Sequence, residues 1–82
     1  MRIEKTVGIG AVVQQSNVSE KQLRYWQSAG YITPEEVVCG DRTYRRYRES
    51  DVALVKEIKR FLDEGFNLAN AVKKAKEKIG GE

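Results

Sequence analysis

The sequence predicts a mainly α fold, a winged helix-turn-helix of about four helices with a small two-stranded antiparallel wing. Three features carry that reading. Two short segments with helically spaced apolar residues flank Asn17. A β-branched run at 36–39 is answered by an arginine- and tyrosine-rich run at 42–48. Two further helical stripes follow. The helix-turn-helix is expected over about 9–30, the wing over about 35–48 and the helix pair over about 50–79, all in one domain spanning 1–82.

Taken in order, residues 1–8 have weak patterning and are expected to form a partly frayed end. Ile9, Val12 and Val13 then fit one face of a short helix. Asn17 suits a tight turn, because asparagine tolerates a left-handed backbone. In the next helix Ser19 can act as cap, its hydroxyl accepting a backbone N–H left free in the first turn. Gly30 can end that helix in the left-handed region at little cost. Leu23 and Trp26, with Val18 before them and Ala29 after, mark a buried stripe. Lys21, Gln22, Arg24 and Tyr25 lie away from it and are suited to phosphates and base edges. The pattern of this helix alone fits an ordinary amphipathic surface helix equally well.

Pro34 denies Thr33 the helical region and sends the chain out extended. Glu36-Val37-Val38-Cys39 reads as a strand, Gly40-Asp41 as a turn, and Thr43 to Tyr47 as the returning strand. Alternation puts Arg42, Tyr44, Arg46 and Arg48 on one side, and Thr43, Arg45 and Tyr47 on the other. Arginines at a wing tip suit a minor groove or its flanking phosphates. A solvated charge run guarding an edge hairpin is the alternative. Ser50 is the expected cap of the third helix, with Asp51 well placed against its positive end. Val52, Val55, Ile58 and Leu62, with Phe61 alongside, form its core stripe, and Gly65 is its stop. Phe66 is expected to plug the corner and Asn67 to cap the fourth helix. There Leu68, Val72, Ala75 and Ile79 form a second stripe. Lys73, Lys74, Lys76 and Lys78 read as a solvated face. Gly80 to Glu82 are expected to fray.

The totals narrow the function. A chain of 82 residues fits one small domain that buries about 60–65% of its unfolded surface. It has no histidine and one cysteine, Cys39. That argues against a zinc site, a disulfide framework and a histidine-based active site, so no metal and no cofactor are expected. No glycine-rich phosphate loop is visible either, and an enzyme is not expected. The net charge of +3 is mild, but residues 42–48 hold four arginines and two tyrosines. With no bilayer-spanning apolar run and no signal peptide, a reducing cytoplasmic home is expected.

Leu23-Arg24-Tyr25-Trp26, Gly30-Tyr31-Ile32-Thr33-Pro34, Tyr44-Arg45-Arg46-Tyr47, Ser50-Asp51-Val52, Ile58 and Gly65-Phe66 together resemble the MerR family of bacterial transcription regulators. The resemblance runs from about Ile9 to about Ala75. It implies a winged helix-turn-helix that binds operator DNA, with the second helix in the major groove. Lys21 and Gln22, after the Ser19 cap, would approach base edges, and Arg24 and Tyr25 would contact phosphates. Arg42, Tyr44, Arg45, Arg46 and Tyr47 would serve the wing, and Lys59 or Arg60 would clamp backbone. Trp26 stands where tyrosine is usual, Asn17 and Thr43 where glycine is common, and Glu35 and Glu36 where an arginine is common.

Family members continue into a dimerisation helix and an effector domain. The isolated chain is therefore expected to be monomeric and a full-length protein a homodimer. The partner expected is double-stranded DNA, with an antagonist protein on the same face as a further possibility. A small architectural, excisionase-like DNA-binding protein is the competing reading.

Overall fold

The computed structural model describes residues 5–80. It runs β1 (Thr6–Val7), α1 (Ile9–Ser16), α2 (Glu20–Ser28), β2 (Glu35–Cys39), β3 (Arg42–Arg48), α3 (Glu49–Asp63) and α4 (Leu68–Gly80). This is the mainly α winged helix-turn-helix with four helices, but its sheet has three antiparallel strands, ordered β1-β3-β2. The two-stranded expectation is corrected by Thr6, which pairs with Arg48, and Val7, which pairs with Tyr47. Part of the stretch expected to fray is therefore a strand. At the other end Gly80 closes α4. Residues 1–4 and 81–82, the rest of both expected frayed ends, lie outside the described residues.

The link from α1 to α2 is held by short polar contacts. Asn17 adopts φ 60°, and its N–H donates to the Val13 carbonyl at 2.9 Å. The Ser16 hydroxyl donates to the Val12 carbonyl at 2.6 Å and accepts from the Val18 N–H at 3.3 Å. Those bonds satisfy groups that a turn would otherwise bury unpaired, and they drop Val18 into the core. Ser19 then caps α2. Its hydroxyl accepts from the Gln22 N–H at 3.1 Å, while the Gln22 side-chain oxygen accepts from the Ser19 N–H at 3.1 Å. This reciprocal pair is a capping box. At the far end Gly30, at φ +83°, donates to the Gln27 carbonyl and Tyr31 donates to the Trp26 carbonyl. That Schellman arrangement turns the chain so that Ile32 enters the core.

The core collects Val12, Val18, Leu23, Trp26, Ile32, Tyr47, Val52, Val55, Ile58, Ala71, Val72 and Ala75. The expected stripes of α3 and α4 are therefore largely those that are buried, with Ala71 added. Ala29, placed on the α2 stripe by its spacing, is exposed instead, because the helix ends before it completes another turn against the core. Ser50 is not the cap of α3, which starts one residue earlier. The Asp51 carboxylate, buried at that end, accepts from the Arg48 N–H at 2.9 Å and from Arg48 Nε at 3.1 Å. Gly65, at φ +107°, gives α3 a second Schellman stop, and Phe66 meets Phe61 edge to face at 5.6 Å. The Asn67 side chain accepts from the Asn70 N–H at 2.9 Å and starts α4.

Candidate nucleic-acid interface

Cys39 and Arg42 are paired across a two-residue loop, Gly40-Asp41, with φ +67° at Gly40. A positive φ at the first loop position alone is the pattern of a type II′ hairpin, whose twist matches that of its strands. The ladder then fixes which side chains share a face. Glu36 stands opposite Arg45, Val37 opposite Tyr44 and Glu35 opposite Arg46. Every residue of β2 is exposed, so the ribbon stands off the body.

Tyr47 anchors the ribbon. It was expected at the DNA surface, but its ring is fully buried and belongs to the core. Its hydroxyl accepts a hydrogen bond from Gln27 Nε2 of α2. Burial pushes the phenol pKa up, against the pull of Arg45, of the Gln27 bond and of Arg24, so the group stays neutral. The contact sets the wing beside α2. Between them lies an open cleft of about 550 Å³ lined by Arg24, Gln27, Ser28, Thr33, Glu36 and Arg45, among others.

Arg46 and Arg48 also turn inward. Arg46 Nε donates to the Thr6 hydroxyl at 3.2 Å and Nη2 to the Thr6 carbonyl at 3.1 Å. Arg48 Nη2 donates to the Thr33 carbonyl at 3.0 Å, besides holding Asp51. Replacing Arg46 with alanine is expected to loosen β1, which among the described residues pairs through Thr6 and Val7. Amide hydrogen exchange at Val7 should accelerate, with a stability loss of about 1–2 kcal/mol from the missing charged donor. Unchanged exchange at Val7 would show that Arg46 is no strut.

Several of the remaining wing and helix residues are basic, polar or aromatic and exposed. Tyr25 is 59% and Tyr44 47% exposed, too much for core roles. Lys21 and Arg42 are exposed and form no ion pair among the described residues. Arg24 is exposed but paired, with Nε and Nη2 both donating to Glu20 Oε2, at 2.9 and 2.6 Å. Arg45 faces Glu36 at 3.9 Å. Ser19 and Gln22 are exposed at the start of α2, although the capping box ties down the Gln22 oxygen.

Lys59 and Arg60 do not line the cleft. Lys59 pairs with Asp63 at 2.7 Å, and Arg60 pairs with Glu57 and Glu64 while lying over the Phe61 ring. Glu57 also takes Lys78 of α4 at 3.3 Å. Burial raises the Glu57 pKa, but the hydrogen bonds from Arg60 and Lys78 outweigh it and leave it below the ordinary value. This network ties α3 to α4. Lys73, Lys74 and Lys76 are exposed on α4, with Lys74 over the Phe66 ring at 5.1 Å.

Composition and stripe spacing missed Gln27, Glu20, Glu36 and Thr6. Glu20 and Arg24 were readable as a pair from their four-residue spacing. The others depend on pairing across the fold, which local pattern does not carry.

Comparison with known sequences gives a consistent result. The sequence model of the MerR HTH family regulatory protein matches residues 8–78. The chain is 34% identical over 71 residues to the HTH-type transcriptional repressor CarH of Myxococcus xanthus, covering 85% of this chain and 23% of that protein. It is 32% identical over 62 residues to the heavy metal-dependent transcription regulator 2 of Rhizobium meliloti (strain 1021). It is 36% identical over 62 residues to the HTH-type transcriptional regulator HmrR of Sinorhizobium medicae (strain WSM419). Each of these two alignments covers 76% of this chain and 41% of the relative, so the chain spans less than half the length of the relatives it matches.

Proposed function

This chain belongs to the MerR family of helix-turn-helix regulatory proteins, and on that premise we propose that residues 1–82 are a single operator-reading domain of a transcription regulator. The family consists of DNA-binding regulators and not of enzymes. In this reading α2 enters the major groove. Lys21 and the amide of Gln22 approach base edges, and Arg24 and Tyr25 grip flanking phosphates. Arg42, Tyr44 and Arg45 of the wing reach the minor groove or its backbone. Tyr47, Arg46 and Ser19 serve as supports, and Lys59 and Arg60 stay within their own helix network. One observation carries the proposal: the exposed cations Arg24 of α2 and Arg45 of β3 line one cleft, set by the Gln27–Tyr47 contact.

The isolated domain is proposed to be monomeric and to work in the cytoplasm, and the whole protein to act as a homodimer. A second reading, in which an antagonist protein docks on the same face, is supported by exposed Val37, Val38 and Tyr44, because valines have no evident use against a polyanion.

The test is duplex binding by this chain across a range of salt concentrations. Three basic side chains on phosphates, Arg24, Arg42 and Arg45, predict that log K falls with log salt at a slope of about −2 to −3. Binding that ignores salt, or no binding at low salt, would overturn the reading.

A further inference from the structure

Two arginines of the cleft are each held by a carboxylate, and the two outer cations are not. Arg24 gives two donors to one oxygen of Glu20, and its Nη1 has no partner among the described residues. Arg45 is met across the ladder by Glu36 at 3.9 Å, and Arg24, Glu36 and Arg45 line the same cleft. Lys21 and Arg42 stand outside these pairs.

We infer that Glu20 and Glu36 are specificity determinants that suppress binding of this face to non-cognate DNA. The inference rests on the proposed DNA reading and deepens it. An arginine beside a carboxylate is neutral in sum. At distances near the Debye length, about 8–10 Å, such a pair attracts a polyanion little. At contact the guanidinium still offers directed donors, because a carboxylate occupies only part of its fork. A phosphate therefore gains from Arg24 or Arg45 only when the duplex is seated closely enough to meet the open edge of the guanidinium. Loosely held, sequence-independent complexes depend on summed charge and lose that contribution. Cognate complexes, seated by base contacts of α2, keep it. Glu20 and Glu36 thus convert general attraction into a positional requirement.

The test compares the wild-type chain with Glu20→Gln, Glu36→Gln and the control Glu77→Gln. Glu77 is exposed on α4 and does not line the cleft. Each variant removes one negative charge, so the control measures the effect of net charge alone. The probe is a short random-sequence duplex, titrated at several salt concentrations, with circular dichroism to confirm the fold. Glu20→Gln and Glu36→Gln should each tighten random-duplex binding about two- to tenfold, since a surface pair and phosphate repulsion each contribute a factor of a few. Each should also steepen the salt slope by about 0.9. Glu77→Gln should do neither. Structural damage would weaken binding, so a gain is the signature of a released arginine.

Equal gains in all three variants, or no gain at Glu20 and Glu36, would overturn the inference while leaving the DNA reading intact. Failure of the wild-type chain to bind duplex at low salt would overturn the DNA reading itself, and the inference with it.

Discussion

Replacing Trp26 with alanine is expected to unfold most of the domain. The indole is 2% exposed and sits among the core residues, and the Trp26 carbonyl takes the Tyr31 N–H in the turn that ends α2. Truncating a buried tryptophan costs about 3–5 kcal/mol. A domain of this length has about 4–12 kcal/mol in total. The loss should lower the melting temperature by more than about 15 °C, seen in thermal circular dichroism, or leave no transition at all. Trp26→Phe should retain the fold with a smaller loss. An alanine variant that melts like the wild type would remove Trp26 from the core.

Arg24→Ala is expected to do the opposite, leaving the fold intact and damaging binding. The side chain is 65% exposed and pairs with Glu20, a surface pair whose loss costs about 0.5 kcal/mol or less. Its removal should weaken binding of a cognate duplex, selected from a random library, by about 10- to 100-fold, the range for a charged hydrogen bond, and reduce the salt slope by about 0.9. Part of that loss comes from Glu20, left unpaired in front of the phosphates. Adding Glu20→Gln to Arg24→Ala should therefore recover a fraction of the affinity. Fluorescence anisotropy on a labelled duplex measures both steps. Wild-type affinity in the single variant would exclude Arg24 from the interface.

Much of the fold was legible because local chemistry specifies it. Asn17 takes the left-handed turn, and Ser19 with Gln22 starts α2. Gly30 and Gly65 stop helices at positive φ, and Asn67 caps α4. Each of these depends on residues close in sequence. β1 was not legible, because two residues carry no strand pattern and acquire one only by pairing with Tyr47 and Arg48. The cap of α3 was misplaced for a related reason. Ser50 has the preferred chemistry, but Arg48 lies at the cap position and Asp51 reaches back to its N–H.

The wing shows the limit most plainly. Alternation correctly separated Arg45 and Tyr47 from Arg42, Tyr44 and Arg46, but periodicity does not say which face turns inward. The Gln27 contact and the buried ring decide it for Tyr47, and the Thr6 contacts turn Arg46 into a support. Four arginines that look equivalent in sequence therefore divide into two anchors, Arg46 and Arg48, and two residues facing outward, Arg42 and Arg45. Trp26 in place of the usual tyrosine is a core substitution here, since the position is buried.

The most direct test of sequence reading by α2 is selection from a random duplex library by the purified chain. Competition of the selected duplex against random duplex, at one fixed salt concentration, then follows for the wild type, Lys21→Ala and Arg42→Ala. The account expects one enriched motif, and a ratio of selected to random affinity that falls in Lys21→Ala. In Arg42→Ala both affinities should fall by similar factors, because backbone contacts carry little base information. A library that emerges unenriched, or a ratio lost in Arg42→Ala and kept in Lys21→Ala, would contradict the assignment of base reading to α2 and of backbone grip to the wing.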